Sequence, residues 1–252
     1  MLFKNLLVSA AFTSFAHMAL AEQFSSGPES VPLLELFTSE GCSSCPPADR
    51  WLSAFSTDRD LWDQYVPIAF HVDYWNYLGW EDKYAREVFS ERQRRYRYQG
   101  YTQGVYTPGV ILGGTEWRSW RRGGTPGPLS PDRVGTLNVR LEASGFKAEF
   151  NPGPDSDVKD GMLTIALLGM GIQTMVKAGE NRGKSLSHDF VVLAHDQFDP
   201  TRNSEQDRGV LYWDGELPTS TNQSDARRLA LAAWVSDGAD LLPIQAVGGW
   251  LD

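Results

Sequence analysis

The chain has only two cysteines in 252 residues, and they stand three positions apart as Cys42-Ser43-Ser44-Cys45, between a run that reads as a strand and a run that reads as a helix. That spacing limits what the fold can rely on. A bridge across three positions closes almost no loop, so it restrains the unfolded chain little and cannot staple a scaffold together. The fold has to rest on an apolar core instead, and a 41% hydrophobic composition over this length supplies one, as one large domain or two of ordinary size.

The flanks of the pair place it. Val31 to Phe37 is a short apolar run with β-compatible residues, which predicts a buried strand. Pro46 and Pro47 suit a first helical turn, where a missing N–H costs little, and Asp49 adds a favourable negative charge there. Val66 to Val72 predicts a second strand, parallel to the first because a helix intervenes, and Asp73 closes it. Tyr74 to Trp80 is rich in aromatics, read either as a peptide-docking surface or as packing. The stretch from Asp82 to Tyr98 lacks Gly and Pro and predicts a helix with Tyr84, Val88, Phe89 and Arg92 on one face. Val105 to Gly114 gives a turn, Pro108 and a third strand.

Composition then shifts to Gly, Pro, Ser and Arg between Gly113 and Gly135, which predicts a boundary. Beyond it, short β-like runs recur between turn-rich segments, suggesting an antiparallel sandwich. The run from Ala226 to Trp234 is compatible with strand or helix, and His188 and His195 are placed on opposite faces of one strand. At the other end, Lys4 precedes an apolar stretch and then Ala19-Leu20-Ala21, the pattern of a secretory signal peptide over residues 1–21. The apolar part is short for a membrane span, so the expected product is exported, periplasmic or secreted, with no membrane anchor after signal removal.

The formal charge of −9 argues against nucleic acid as a partner, since phosphate binding relies on clustered Lys and Arg. The basic run from Arg92 to Arg97 reads as a solvated helix face paired with acids. In an exported protein disulfides persist, and two cysteines suffice for one reversible pair. A cysteine just ahead of a helix has its thiolate favoured by unpaired N–H groups and the helix dipole, which makes Cys42 the candidate nucleophile. Cys45 is then placed to resolve a mixed disulfide. A closed zinc site lacks ligands, and copper lacks a Met- or His-rich tract, leaving one metal arrangement: Cys42, Cys45 and His71. His71 and Asp73 are otherwise a core histidine and a turn cap, or groups that tune the cysteines. Thr107-Pro108 matters if its bond is cis and faces Cys42, where it would leave backbone groups free to dock a peptide.

Taken together, the strand, Cys42-Ser43-Ser44-Cys45, helix, strand, helix and Thr107-Pro108 resemble the thioredoxin superfamily. More narrowly, Leu36 to Asp49, His71-Val72-Asp73-Tyr74-Trp75 and Tyr106-Thr107-Pro108 resemble the exported bacterial family catalogued as domain of unknown function 1223, with a looser likeness through Glu180 to His188. The resemblance implies a thioredoxin-like fold, Cys42 as attacking thiol, Cys45 as resolving thiol and Pro108 as a cis-proline beside Thr107. It implies no substrate. Glu40 stands where Gln is expected, and a negative charge there would raise the Cys42 pKa. The expectation is an α/β thioredoxin-like domain over 28–125, followed by a β-rich, sandwich-like domain over 133–252. The expected activity is thiol-disulfide exchange on protein or small-thiol substrates, with a redox recycling partner and no cofactor. A non-catalytic exported binding protein and a copper carrier are the alternatives.

Overall fold

Leu33–Thr38 (β2) and Val66–His71 (β3) are each buried along their whole length, and they pair in parallel with Leu33 opposite Val66 and Thr38 opposite His71. The computed structural model describes residues 22–201, 209–238 and 240–251. The expected signal peptide over 1–21 lies outside the described residues. Gly109–Leu112 (β4) runs antiparallel along the other side of β2, and Thr115–Glu116 (β5) closes that edge.

The sheet does not stop at β3. Val191–Phe198 (β11) joins it in parallel, with Val191 opposite Ala69, and Gly161–Met170 (β8), Arg228–Asp237 (β13) and Pro243–Leu251 (β14) follow, each antiparallel to its neighbour. The order across the eight strands is β14-β13-β8-β11-β3-β2-β4-β5. A second sheet, β1-β6-β7-β12, is built from Gln23–Ser25 (β1), Gly135–Glu142 (β6), Gly145–Pro152 (β7) and Leu211–Gly215 (β12). Ile172–Met175 (β9) and Ser185–His188 (β10) form a separate hairpin.

This architecture corrects the expected one. The protein is not an α/β thioredoxin-like domain followed by a separate β-sandwich: strands from both halves hydrogen-bond in one mixed sheet, and the two α-helices among the described residues, Pro46–Ser53 (α1) and Glu87–Tyr98 (α2), have 8 and 12 residues. The physical reason lies in β8 and β13. All but one residue of β8 are buried, as are Ala230 to Ser236 of β13. A near-continuous apolar run marks a strand covered on both faces rather than the alternating strand of a simple sandwich. One set of alternate residues, Ala166, Leu168, Ala230, Ala232 and Trp234, shares a cluster with Phe89 and Tyr96 of α2. The other set, Leu163, Ile165, Leu231, Ala233 and Val235, packs on Leu137, Val139, Phe146 and Phe150 of the second sheet. The run near Ala226 is strand, not helix.

The helices follow their local chemistry. Pro46 and Pro47 occupy the first turn of α1, Cys45 is its N-cap, and Ala48, Asp49 and Leu52 face inward, with Ala48 and Leu52 joining Leu34 and Leu36. Helix α2 starts five residues later than its composition predicts. The reason is Asp82: its carboxylate accepts the amides of Glu40 at 2.9 Å and Tyr84 at 3.0 Å, holding the chain there as a loop. Nor is the basic run of α2 wholly solvated. Arg92 is buried, and its Nε lies 2.6 Å from Glu35 Oε2.

Candidate functional site

Cys42 and Cys45 form a disulfide at the start of α1. The backbone explains how the pair is presented: the Cys45 amide donates to Cys42 O at 3.2 Å, and Cys45 O accepts from Ala48 at 2.8 Å and Asp49 at 3.1 Å. Ser44 Oγ lies 3.3 Å from Cys42 Sγ, the sulfur contact that the small residues between the cysteines allow. Ser43 and Ser44 are exposed, whereas Cys42 is 1% and Cys45 0% exposed.

Two segments flank the loop. Trp75, from the aromatic stretch after β3, stands so close to Gly41 that a Cβ there would meet Trp75 Cβ at 2.9 Å. Its indole Nε1 donates to Thr107 Oγ1 at 2.7 Å, and the Thr107–Pro108 bond is cis. Trp75 thus ties the pre-proline residue to the cysteine loop. The opposite flank is the tip of the β9–β10 hairpin. Glu180 Oε2 accepts the Ser43 amide at 3.0 Å, and bonds from Ser43 hold this exposed carboxyl below the usual range. Asn181 Nδ2 donates to Glu40 O and Cys42 O, both at 2.9 Å.

Beneath the loop lies a cluster of buried ionisable groups: Glu40, Asp49, His71, Asp82 and His188. Thr38 Oγ1 donates to Asp49 Oδ1 at 2.8 Å, and Trp80 Nε1 donates to Glu40 Oε2 at 2.7 Å. His71 Nδ1 and Asp82 Oδ2 are 2.7 Å apart. Burial alone pushes the His71 imidazole down, but the charge and hydrogen bond of Asp82, with Asp49 and Glu40 behind it, outweigh burial and lift it to about 9. Asp82 is pushed up by burial and pulled below its usual value by His71 and the two backbone amides. Burial raises Asp49, partly offset by His188 and His71.

The residues singled out in the sequence are distributed as follows. Cys42 and Cys45 are bonded to each other, Thr107 reaches their loop through Trp75, and Pro108 follows in cis. His71, at the end of β3, is held by Asp82, and among the described residues no group of three or more His, Cys, Asp or Glu is arranged to hold a metal ion. Asp73 turns away, its Oδ1 accepting from Ser90 Oγ of α2 at 2.5 Å. His188 and His195 do not share a strand: they lie in β10 and β11, separated by Asp189 and by Phe190 at a φ of 59°. Asn181, Asp82 and His188 were given no role at the site in the sequence, and Asp49 only that of a favourable charge in the first helical turn. The available signal was the likeness from Glu180 to His188, which gave no roles.

A family model described as "Protein of unknown function (DUF1223)" matches residues 33–235. The chain belongs to this family. Two solved structures are similar to this DUF1223 member. Protein AGR_C_4864 from Agrobacterium tumefaciens is 23% identical, with a TM-score of 0.57, covering 88% of this chain and 95% of that one. HBP35 of Porphyromonas gingivalis is 16% identical, with a TM-score of 0.53, covering 90% of this chain and 77% of that one. At these identities the likeness is one of fold. Among curated proteins, none matches the DUF1223 chain.

Proposed function

We propose that the protein is an exported thiol-disulfide oxidoreductase that works through the Cys42–Cys45 pair on protein or small-thiol substrates and is recycled by a redox partner. The observation that carries this reading is the disulfide at the N-terminus of α1, which closes a separation of three residues. Such a bond does little for stability, so its placement calls for another role. A helix N-terminus favours the thiolate that exchange needs, and the neighbouring cysteine can resolve a mixed disulfide. In this scheme Cys42 attacks, Cys45 resolves, and Thr107 and Pro108 border the docking side. The same local order of strand, cysteine pair, helix and parallel strand supports grouping the site's chemistry with that of the thioredoxin superfamily.

A second reading rests on the 1% exposure of Cys42: a pair this covered would stay oxidised in a non-catalytic exported binding protein. One experiment separates them. The protein is incubated with a dithiol reductant and a model disulfide, beside the Cys42→Ser and Cys45→Ser variants. Exchange by the parent that both variants lose supports the oxidoreductase. Equal rates in parent and variants would falsify it, and a parental pair that resists the dithiol supports the binding protein.

A further inference from the structure

The buried cluster beneath the cysteine loop stands outside the exchange scheme, and His188 is its least satisfied member. His188 ends β10, is 2% exposed, and neither of its ring nitrogens has a hydrogen-bond partner. Its Nε2 lies 3.5 Å from Glu40 Oε1 and its Nδ1 lies 3.9 Å from Asp49 Oδ2. These two carboxyl groups bracket the cysteine pair in the chain. Glu40 stands just before the loop, and Asp49 lies one helical turn past Cys45, its amide on Cys45 O at 3.1 Å. From β3, His71 meets the ring of His188 edge-on at 5.0 Å and is itself held by Asp82, with the Tyr84 ring 5.6 Å beyond. Asp189, next in the chain, turns away to accept the Gly171 amide at 2.7 Å.

An imidazole buried without partners is costly, and this one sits where a single added proton would turn two loose contacts into charge-assisted hydrogen bonds. We infer that His188 is a positioning residue for the cysteine pair, taking up a proton through the Glu40–Asp49 bracket when the Cys42–Cys45 disulfide is reduced. The inference rests on the exchange reading. A dithiol reductant gives two electrons to the S–S bond, which breaks, and the reductant becomes a disulfide. Of its two protons, one ends on a cysteine sulfur and the other on His188, leaving the second sulfur as a thiolate. The imidazolium, bracketed by Glu40 and Asp49, then offsets the charge that appears on sulfur, and an opposite charge favours the thiolate.

The test follows the far-ultraviolet absorbance of thiolate against pH in the reduced parent and in reduced His188→Gln. The expected result is a thiolate midpoint about one unit higher in the variant, hence about tenfold less thiolate on the acidic side. Equal midpoints overturn the inference. A second measurement needs only the parent: the ring resonances of His188 are titrated in the oxidised and reduced protein. A higher midpoint in the reduced protein supports the inference, and identical midpoints overturn it. A parental disulfide that a dithiol cannot open overturns the exchange reading itself, whereas normal exchange with unchanged midpoints overturns only the role of His188.

Discussion

Asn181 and Cys42 stand 139 positions apart in the chain, and the side-chain amide of the first donates to the backbone carbonyl of the second at 2.9 Å. The other proton of that amide serves Glu40 O, and Lys184 Nζ fixes the Asn181 Oδ1 end at 2.9 Å. With no exposed surface, Asn181 sets the shape of the cysteine loop from the β9–β10 hairpin. The loop's conformation is therefore a property of the joined halves.

Asn181→Ala removes a donor from each of two buried carbonyls; Cys42 O keeps the Cys45 amide, whereas Glu40 O loses its Asn181 bond, and an unsatisfied buried group costs about 1–3 kcal/mol. The expected outcome is a lower urea midpoint and faster reduction of the disulfide by a dithiol, because the hairpin tip no longer holds the loop. Asn181→Asp should behave similarly, since a carboxylate cannot donate. Parental reduction rates in both variants would show that the tip does not restrain the loop.

The His71–Asp82 pair makes stability depend on pH in a definite direction. The folded His71 value of about 9 lies above the ordinary 6.5, so its contribution is fully present below 6.5 and is lost as pH rises through about 9. Asp82 is depressed below its ordinary 3.8, so its contribution is present above 3.8 and is lost as pH falls through its folded value. Asp49, raised by burial, contributes a loss that begins as pH rises above its ordinary 3.8 and is complete above its folded value. Denaturant unfolding followed from pH 6.5 to 9 should show falling stability in the parent. In Asp82→Asn most of that fall should vanish, and an unchanged slope would remove the pair as its source.

On the opposite face of β2, Glu35 and Arg92 form a buried pair that Tyr96 completes, with Arg92 Nη2 donating to the Tyr96 hydroxyl at 3.1 Å. The Arg92 guanidinium also lies 5.5 Å from the ring centres of Phe70 and Trp234. Glu35→Leu alone leaves a buried cation uncompensated, so a loss of about 3–5 kcal/mol is expected, while replacing both by Leu and Met should recover most of it. Chemical denaturation of the two singles and the double measures the coupling. Additive losses would mean that the pair contributes nothing as a pair.

How much of this was legible in the sequence depended on distance along the chain. The order of β2, the cysteine loop, α1 and β3 could be read because each element carries its own periodicity and punctuation, down to Pro46 and Pro47 in the first helical turn. Thr107 and Pro108 could be singled out for the same local reason. Sheet membership could not: β11 lies against β3 through Val191 and Ala69, a pairing that no local pattern encodes. The site's second half was hidden likewise. His188 reads as one more residue of a polar strand, and only the folding of β10 against α1 brings it to Asp49. Asp82 looks like the first residue of a helix, yet its carboxylate serves Glu40, Tyr84 and His71, which delays the helix to Glu87.

Gly41 has a sharper requirement than its place beside Cys42 suggests. A Cβ at this position would lie 2.9 Å from Trp75 Cβ and 3.4 Å from Trp75 O, and neither atom is the free end of a flexible chain. Gly41→Ala must therefore push Trp75 outward, which stretches the 2.7 Å bond from its indole to Thr107. Overpacking of this kind costs about 1–3 kcal/mol. Trp75→Phe removes the indole donor without the clash, so it should separate the two effects. If the exchange reading holds, both variants should lower exchange with a peptide disulfide more than with a small one, because both disturb Thr107 on the docking side. Kinetics with the two substrates decide it: an equal fall for both would place the effect on the cysteines themselves, and no fall would detach Trp75 from function.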